Sequence, residues 1–153
     1  MVIDMEWLID LVHNHILVSA FFAWATAQIV KAIIHAIVNK TWDVRRLLGA
    51  GGMPSSHTAT VTAMATTAAL EYGLDSPIFG IAAILVFVVT HDAIGVRMEA
   101  GKHAKLLNQI METLLGVAFT EERLKEFLGH TPLQVVCGGI LGIIVAIAVY
   151  FGL

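Results

Sequence analysis

Charge is scarce in this chain. Only 14% of its 153 residues are Asp, Glu, Lys or Arg, while 58% are hydrophobic and the mean hydropathy is +0.81. A soluble domain carries about 25% charged residues, so this composition excludes a soluble globular domain and leaves an integral membrane protein. Cysteine is scarcer still. Cys137 is the single one, set in an apolar run, and neither an intrachain disulfide framework nor a Cys-based metal site can be built from it. The first dozen residues carry Asp4, Glu6 and Asp10 where a cleavable signal would carry Lys or Arg, so no such signal is expected. Internal repeats and low-complexity stretches are also lacking. The chain reads as one membrane domain over 1–153.

What is present is apolar length. Stretches at about 15–38, 57–74, 77–96 and 133–152 can each cross roughly 30 Å of hydrocarbon. Met5 to Val12 has apolar residues at helical spacing, which predicts an interfacial helix with Trp7 as anchor. Residues 97–130 are polar and rich in helix formers, predicting one or two amphipathic helices with a break near Gly116 to Thr120. The expected fold is all-α: a membrane bundle of about four transmembrane helices with amphipathic interfacial helices. In the last stretch, Gly138, Gly139, Gly142 and Ala146 form a small-residue face suited to close helix approach. It serves either intrachain packing or a homodimer.

The nine Lys and Arg residues (Lys31, Lys40, Arg45, Arg46, Arg97, Lys102, Lys105, Arg123, Lys125) lie near the ends of the first and third stretches or in the segments that follow. Both segments therefore share one side of the membrane. By the positive-inside rule that side is cytoplasmic, and an inner (plasma) membrane is the expected location. These cations count as topology signals only where they are not placed to bind substrate.

Ionisable groups at span ends are costly, so each calls for a functional hypothesis. Lys31, Arg45, Arg46, His57, Asp92, Arg97 and His130 all fall at ends on that one side. Gly51-Gly52-Met53-Pro54-Ser55-Ser56-His57 adds a glycine turn, a proline placed to open a helix, and hydroxyls with free N–H groups at a helix N-terminus, where an anion is favoured. Taken alone, the segment is equally a glycine turn with a serine cap. Cations of this kind stabilise a transferring phosphoryl group, and an imidazole can attack phosphorus or protonate a leaving oxygen.

Pro54-Ser55-Ser56-His57, Asp92-Ala93-Ile94-Gly95-Val96-Arg97 and Gly129-His130-Thr131-Pro132-Leu133-Gln134 with its glycine-spaced continuation occur in this order. The set resembles the type 2 phosphatidic acid phosphatase (PAP2) superfamily, shared with vanadium haloperoxidases, and in particular its short, divergent branch. That superfamily's signature is Lys-x6-Arg-Pro, then Pro-Ser-Gly-His, then Ser-Arg-x5-His-x3-Asp. The resemblance implies a reduced PAP2-like core and a metal-independent, cofactor-free acid phosphatase. Its substrate would be a lipid phosphate or diphosphate, cleaved through a phosphohistidine. Membrane and lipid are the expected partners, and nucleic acid is not. Vanadate-dependent halide oxidation fits a chain lacking a soluble scaffold poorly.

Carried over by position, the resemblance makes His130 the nucleophile and His57 the general acid. Arg97, Ser55 and Ser56 hold phosphoryl oxygens. Lys31 with Arg45 or Arg46 stands in for the first motif, although those arginines are equally ordinary positive-inside anchors. A literal match would take Arg97-x5-His103 as the third motif. His103 is followed four residues later by Leu107, in an amphipathic helix, so His130 is preferred across an inserted segment of about thirty residues; Lys102, His103, Lys105 and Asn108 in it are expected to form a solvated face. Gln134 replaces the aspartate that would orient the nucleophile and stabilise its positive charge, and a neutral amide can only orient it. Asp92 either supplies that carboxylate or pairs with Arg97. The alternative function is a non-catalytic relative that holds a lipid phosphate headgroup or regulates a partner.

Overall fold

The helix boundaries follow from capping residues. The computed structural model describes residues 6–40, 52–115, 124 and 129–152; Arg45, Arg46, Gly51 and the break expected near 116–120 lie outside them. Six helices form among the described residues: α1 (Glu6–His13), α2 (His15–Asn39), α3 (Ser56–Tyr72), α4 (Pro77–Ile94), α5 (Val96–Leu115) and α6 (Pro132–Gly152). Asn14, Ser55 and Ser76 cap α2, α3 and α4, their side chains accepting from the N–H of Leu17, Thr58 and Phe79. Each such cap contributes about 1 kcal/mol. Gly73, at φ 86°, ends α3 and donates its N–H to Ala69 O.

Pro54 departs from its expected place. It lies before the cap of α3 rather than opening the helix, and Pro77 and Pro132 are the prolines that stand at first helical positions.

Three segments are long and apolar enough to cross a membrane: His15–Asn39, Pro77–Thr113 with its apolar part in α4, and Pro132–Gly152. The four-span expectation is thereby corrected in detail. α3 has 17 residues, rich in Ala and Thr, and it is the central helix, packed against α2, α4 and α6. Its surroundings are protein, so it needs small side chains more than apolar ones. α2 and α4 run towards the end where α3 and α6 begin.

Close backbone approach holds this bundle. Ala23, Ala27, Ala59, Ala63 and Ala146 form one fully buried cluster. A Cβ at Gly138 would sit 2.5 Å from Ser55 O, and one at Gly142 would collide with Ala59 O. Of the two uses open to the small-residue face of α6, the structure shows the intrachain one: α3 covers it. Between helices, Thr67 Oγ1 donates to Ser19 Oγ at 2.7 Å, both residues fully buried. The outer faces carry Phe21, Phe22, Ile81, Phe87, Ile144 and Phe151, all exposed, as a lipid-facing surface requires.

Candidate active site

The site is assembled where α2 ends, α3 and α6 begin, and α4 turns into α5. Three contacts fix the frame. Ser55 N donates to Gln134 O at 3.0 Å, joining the start of α3 to the start of α6. His130 N donates to Ala93 O at 3.1 Å, tying the histidine to the end of α4. Gly129 lies so close to α5 that a Cβ on it would fall 2.5 Å from Met98 Cα.

Lys31 enters from α2 and is buried. Its Nζ donates to Gln28 Oε1 at 2.9 Å and to Ser56 Oγ at 3.4 Å. Its stem passes over Gly52, where φ is 87° and a Cβ would meet Lys31 Cγ at 3.2 Å. Glycine is required there both for its conformation and for that room. Gln28 was not foreseen from sequence; its signal is a polar residue one helical turn before an intramembrane lysine.

Ser55 differs from its expected role. It is fully buried, its hydroxyl accepts from Thr58 N and from Thr58 Oγ1, and its N–H is taken by Gln134 O. Its backbone donor is engaged inside the protein. Ser56, at 4% exposure, stands beside Lys31, and it opens α3 where first-turn N–H groups have no intrahelical acceptors.

His130 is 3% exposed and its orientation is determined by Gln134. Thr131 and Gln134 form a reciprocal cap: Gln134 N donates to Thr131 Oγ1, and Thr131 N donates to Gln134 Oε1 at 3.1 Å. This is the capping box of a Thr-x-x-Gln sequence. A backbone N–H can only donate, so the atom it faces is the amide oxygen. The same oxygen lies 3.1 Å from His130 Nδ1. Nδ1 must therefore carry the proton, and Nε2 keeps its lone pair. Gln134 thus sets the tautomer that a nucleophilic imidazole needs. Burial holds the His130 pKa below its ordinary value, and Lys31 and Arg97 push the same way, against opposing contributions from Gln134 and the Gly52 backbone.

Arg97 Nε donates to Asp92 Oδ2 at 2.6 Å. Of the two partners open to Asp92, the structure shows Arg97, and Gln134 occupies the place beside His130 Nδ1. The guanidinium retains further N–H donors beyond Nε. His57 is exposed, with Arg97, His130, Lys31 and Asp92 all in electrostatic range of it. Beside His130 lies a cavity of 240 Å³ lined by Met98, Gly101, Lys102, Lys105, Gly129, His130 and Thr131. The lysines expected on a solvated face of α5 therefore border the site. Among the described residues, no group of three or more His, Cys, Asp or Glu side chains could hold a metal ion.

At the opposite end of the bundle, His15 Nδ1 lies 2.6 Å from Glu71 Oε1, with Tyr150 edge-on to the imidazole. Local pattern names no partner for His15. The two residues are 56 positions apart and meet only because α2 and α3 are antiparallel.

Fold and site together define an all-α integral membrane protein with two histidines and two cations gathered at one bundle end. A family model described as the Divergent PAP2 family matches residues 12–145, and the chain belongs to that family. It is 36% identical over 154 residues to YuiD of Bacillus subtilis (strain 168), an uncharacterised membrane protein, with 93% of this chain and 98% of that one covered. No solved structure matches.

Proposed function

We propose that this PAP2-like membrane protein is a phosphatase that hydrolyses a lipid phosphate or diphosphate through a phosphohistidine. The observation that carries this reading is the bond from His130 Nδ1 to an oxygen whose identity the Thr131 N–H fixes. It leaves Nε2 with a free electron pair at the cationic end of the bundle. In the first step Nε2 attacks phosphorus, the bond to the leaving oxygen breaks, and His57 protonates that oxygen. Lys31, Arg97 and Ser56 bear the charge on the other phosphoryl oxygens. In the second step His57 takes a proton from water, which attacks the phosphohistidine and releases phosphate and free His130. Arg45 or Arg46 would complete the cation set. The clustering of Lys and Arg supports a cytoplasmic-face site in an inner membrane.

Purified protein in detergent is expected to release phosphate from phosphatidate or a polyprenyl diphosphate, to be inhibited by vanadate, and to lose activity in His130→Ala. Absence of release from both lipids would count decisively against it. The neutral Gln134 supports a second reading, in which the site holds a lipid phosphate headgroup without cleaving it. Function in the cell that survives His57→Ala and His130→Ala but not Arg97→Ala would select that reading.

A further inference from the structure

The cavity beside His130 has one wall that the proposed chemistry does not use. Met98, Gly101, Lys102 and Lys105 follow one another at three, four and seven residues along α5, which puts them on one stripe of the helix. That stripe faces His130 across the 240 Å³ cavity. Two cations therefore line a space bounded on its other side by the buried imidazole.

These lysines are not duplicates of Lys31 and Arg97. Lys31 and Arg97 exert their fields on both His57 and His130, whereas Lys102 and Lys105 contribute to neither. A cation close enough to share a phosphoryl group with both imidazoles would act on them as well. Lys102 and Lys105 border the same cavity from farther out. Lys102 Nζ bonds Glu99 Oε1 at 2.6 Å, but both side chains are more than half exposed, so the pair is screened and readily exchanged for a multiply charged ligand.

We propose that Lys102 and Lys105 form a second anion subsite, which holds a phosphate adjoining the one transferred and makes a lipid diphosphate the preferred substrate over the monophosphate. This deepens the phosphatase reading and rests on it for the word substrate, whereas the anion subsite itself does not depend on turnover. A charged hydrogen bond contributes about 1.5–3 kcal/mol, or roughly ten- to a hundredfold in affinity.

The test uses the full chain in detergent, wild type and a Lys102→Ala/Lys105→Ala variant, with two readouts. In calorimetry, wild type should bind inorganic pyrophosphate at least about tenfold more tightly than inorganic phosphate, and the variant should lose that preference while keeping its phosphate affinity within about twofold. The retained phosphate affinity also reports that the variant is folded. In kinetics, kcat/KM for a lipid diphosphate should fall about ten- to a hundredfold in the variant, mainly through KM, with the monophosphate of the same tail changed less than about twofold. Equal losses on both lipids would mean that the lysines hold the transferred phosphoryl itself and would overturn the subsite. So would a pyrophosphate preference that is absent or survives the substitutions. A lysine-dependent pyrophosphate preference in a protein that hydrolyses neither lipid would uphold the subsite and overturn the phosphatase reading instead.

Discussion

Two ionisable clusters cap opposite ends of the same three helices, α2, α3 and α6, about 22 Å apart along α3, and they differ in charge balance. At one end His15 meets Glu71 at 2.6 Å and Tyr150 donates its hydroxyl to Leu70 O. That cluster satisfies itself, and it ties three helices together. At the other end Lys31, Arg97 and two histidines converge, and the carboxylate in range of His57, Asp92, is already bound to Arg97. Positive charge exceeds negative there, in a site that backs onto the membrane. An end built only for packing gains nothing from such an excess, because like charges repel and burial penalises each of them. An anionic ligand turns the same excess into binding energy. The difference between the ends, rather than either cluster alone, separates a site from a clasp.

The widest separation is expected from alanine substitution of one histidine at each end. His130→Ala should lower phosphate release by at least about a thousandfold, since it removes the attacking atom. His15→Ala should leave turnover within about twofold. Phosphate release from matched detergent preparations measures both, and comparable losses would erase the distinction between the ends.

Glycines test the same contrast within one helix. Gly138 starts α6 against Ser55 O, while a Cβ on Gly152 at its far end meets nothing within 4 Å. Gly138→Ala should cost about 1–3 kcal/mol by forcing α3 and α6 apart, and activity should fall with it because Ser56 and His57 follow Ser55. Gly152→Ala should stay within about 0.5 kcal/mol. Denaturation midpoints for the two variants make the comparison, and a tolerant Gly138 would mean that the site end is loosely packed.

Gln134 is where sequence and structure read most differently. As a sequence it is a missing aspartate. In the fold it is half of a capping box, and its oxygen serves Thr131 and His130 together. The Thr-x-x-Gln pattern was legible from spacing, because a capping box is local. That its oxygen would also reach the neighbouring imidazole was not, because that depends on how Ala93 O holds His130. The same division runs through the molecule. Helices, apolar faces and the order of Pro54–His57, Arg97 and His130 are written in local patterns. The pairing of His15 with Glu71, the cover of α3 over Gly142 and the turn of Lys105 towards the site depend on which helices become neighbours. The shortness and central place of α3 were likewise hidden, since an Ala- and Thr-rich helix flanked by longer ones looks like another span until its surroundings are known.

The geometry also selects a substitution. Gln134→Glu keeps the length and the shared oxygen while adding the charge that a shorter aspartate would place elsewhere. Turnover should rise about tenfold as the carboxylate stabilises the developing imidazolium. The pH profile should move as well. Burial holds His130 below its ordinary 6.5, and only the neutral ring attacks, so wild-type activity should persist below pH 6.5 before its acid limb. The same shift means that stability from keeping this ring neutral is present above 6.5 and is lost as pH falls through 6.5 towards the lower folded value, because the unfolded chain takes up the proton first. The carboxylate introduced by Gln134→Glu would raise the folded pKa of His130 and bring the acid limb to higher pH. An unchanged limb would show that His130 does not govern it.

The smallest effect belongs to the clasp. Glu71→Gln removes the charge facing His15 but keeps an oxygen within reach, and the side chains of His15 and Glu71 are 37% and 21% exposed. A pair so open to solvent contributes less than about 1 kcal/mol, so the denaturation midpoint should fall slightly and phosphate release should not change. The value of this variant lies in its asymmetry. Charge removed at the clasp should be nearly silent in both stability and turnover, whereas Lys31→Met, of similar length and also charge-removing, should leave Ser56 and Gln28 without their buried donor and depress turnover. If Glu71→Gln lowered phosphate release as Lys31→Met is expected to, the two ends would be coupled through α3, and the central helix would transmit rather than merely separate them.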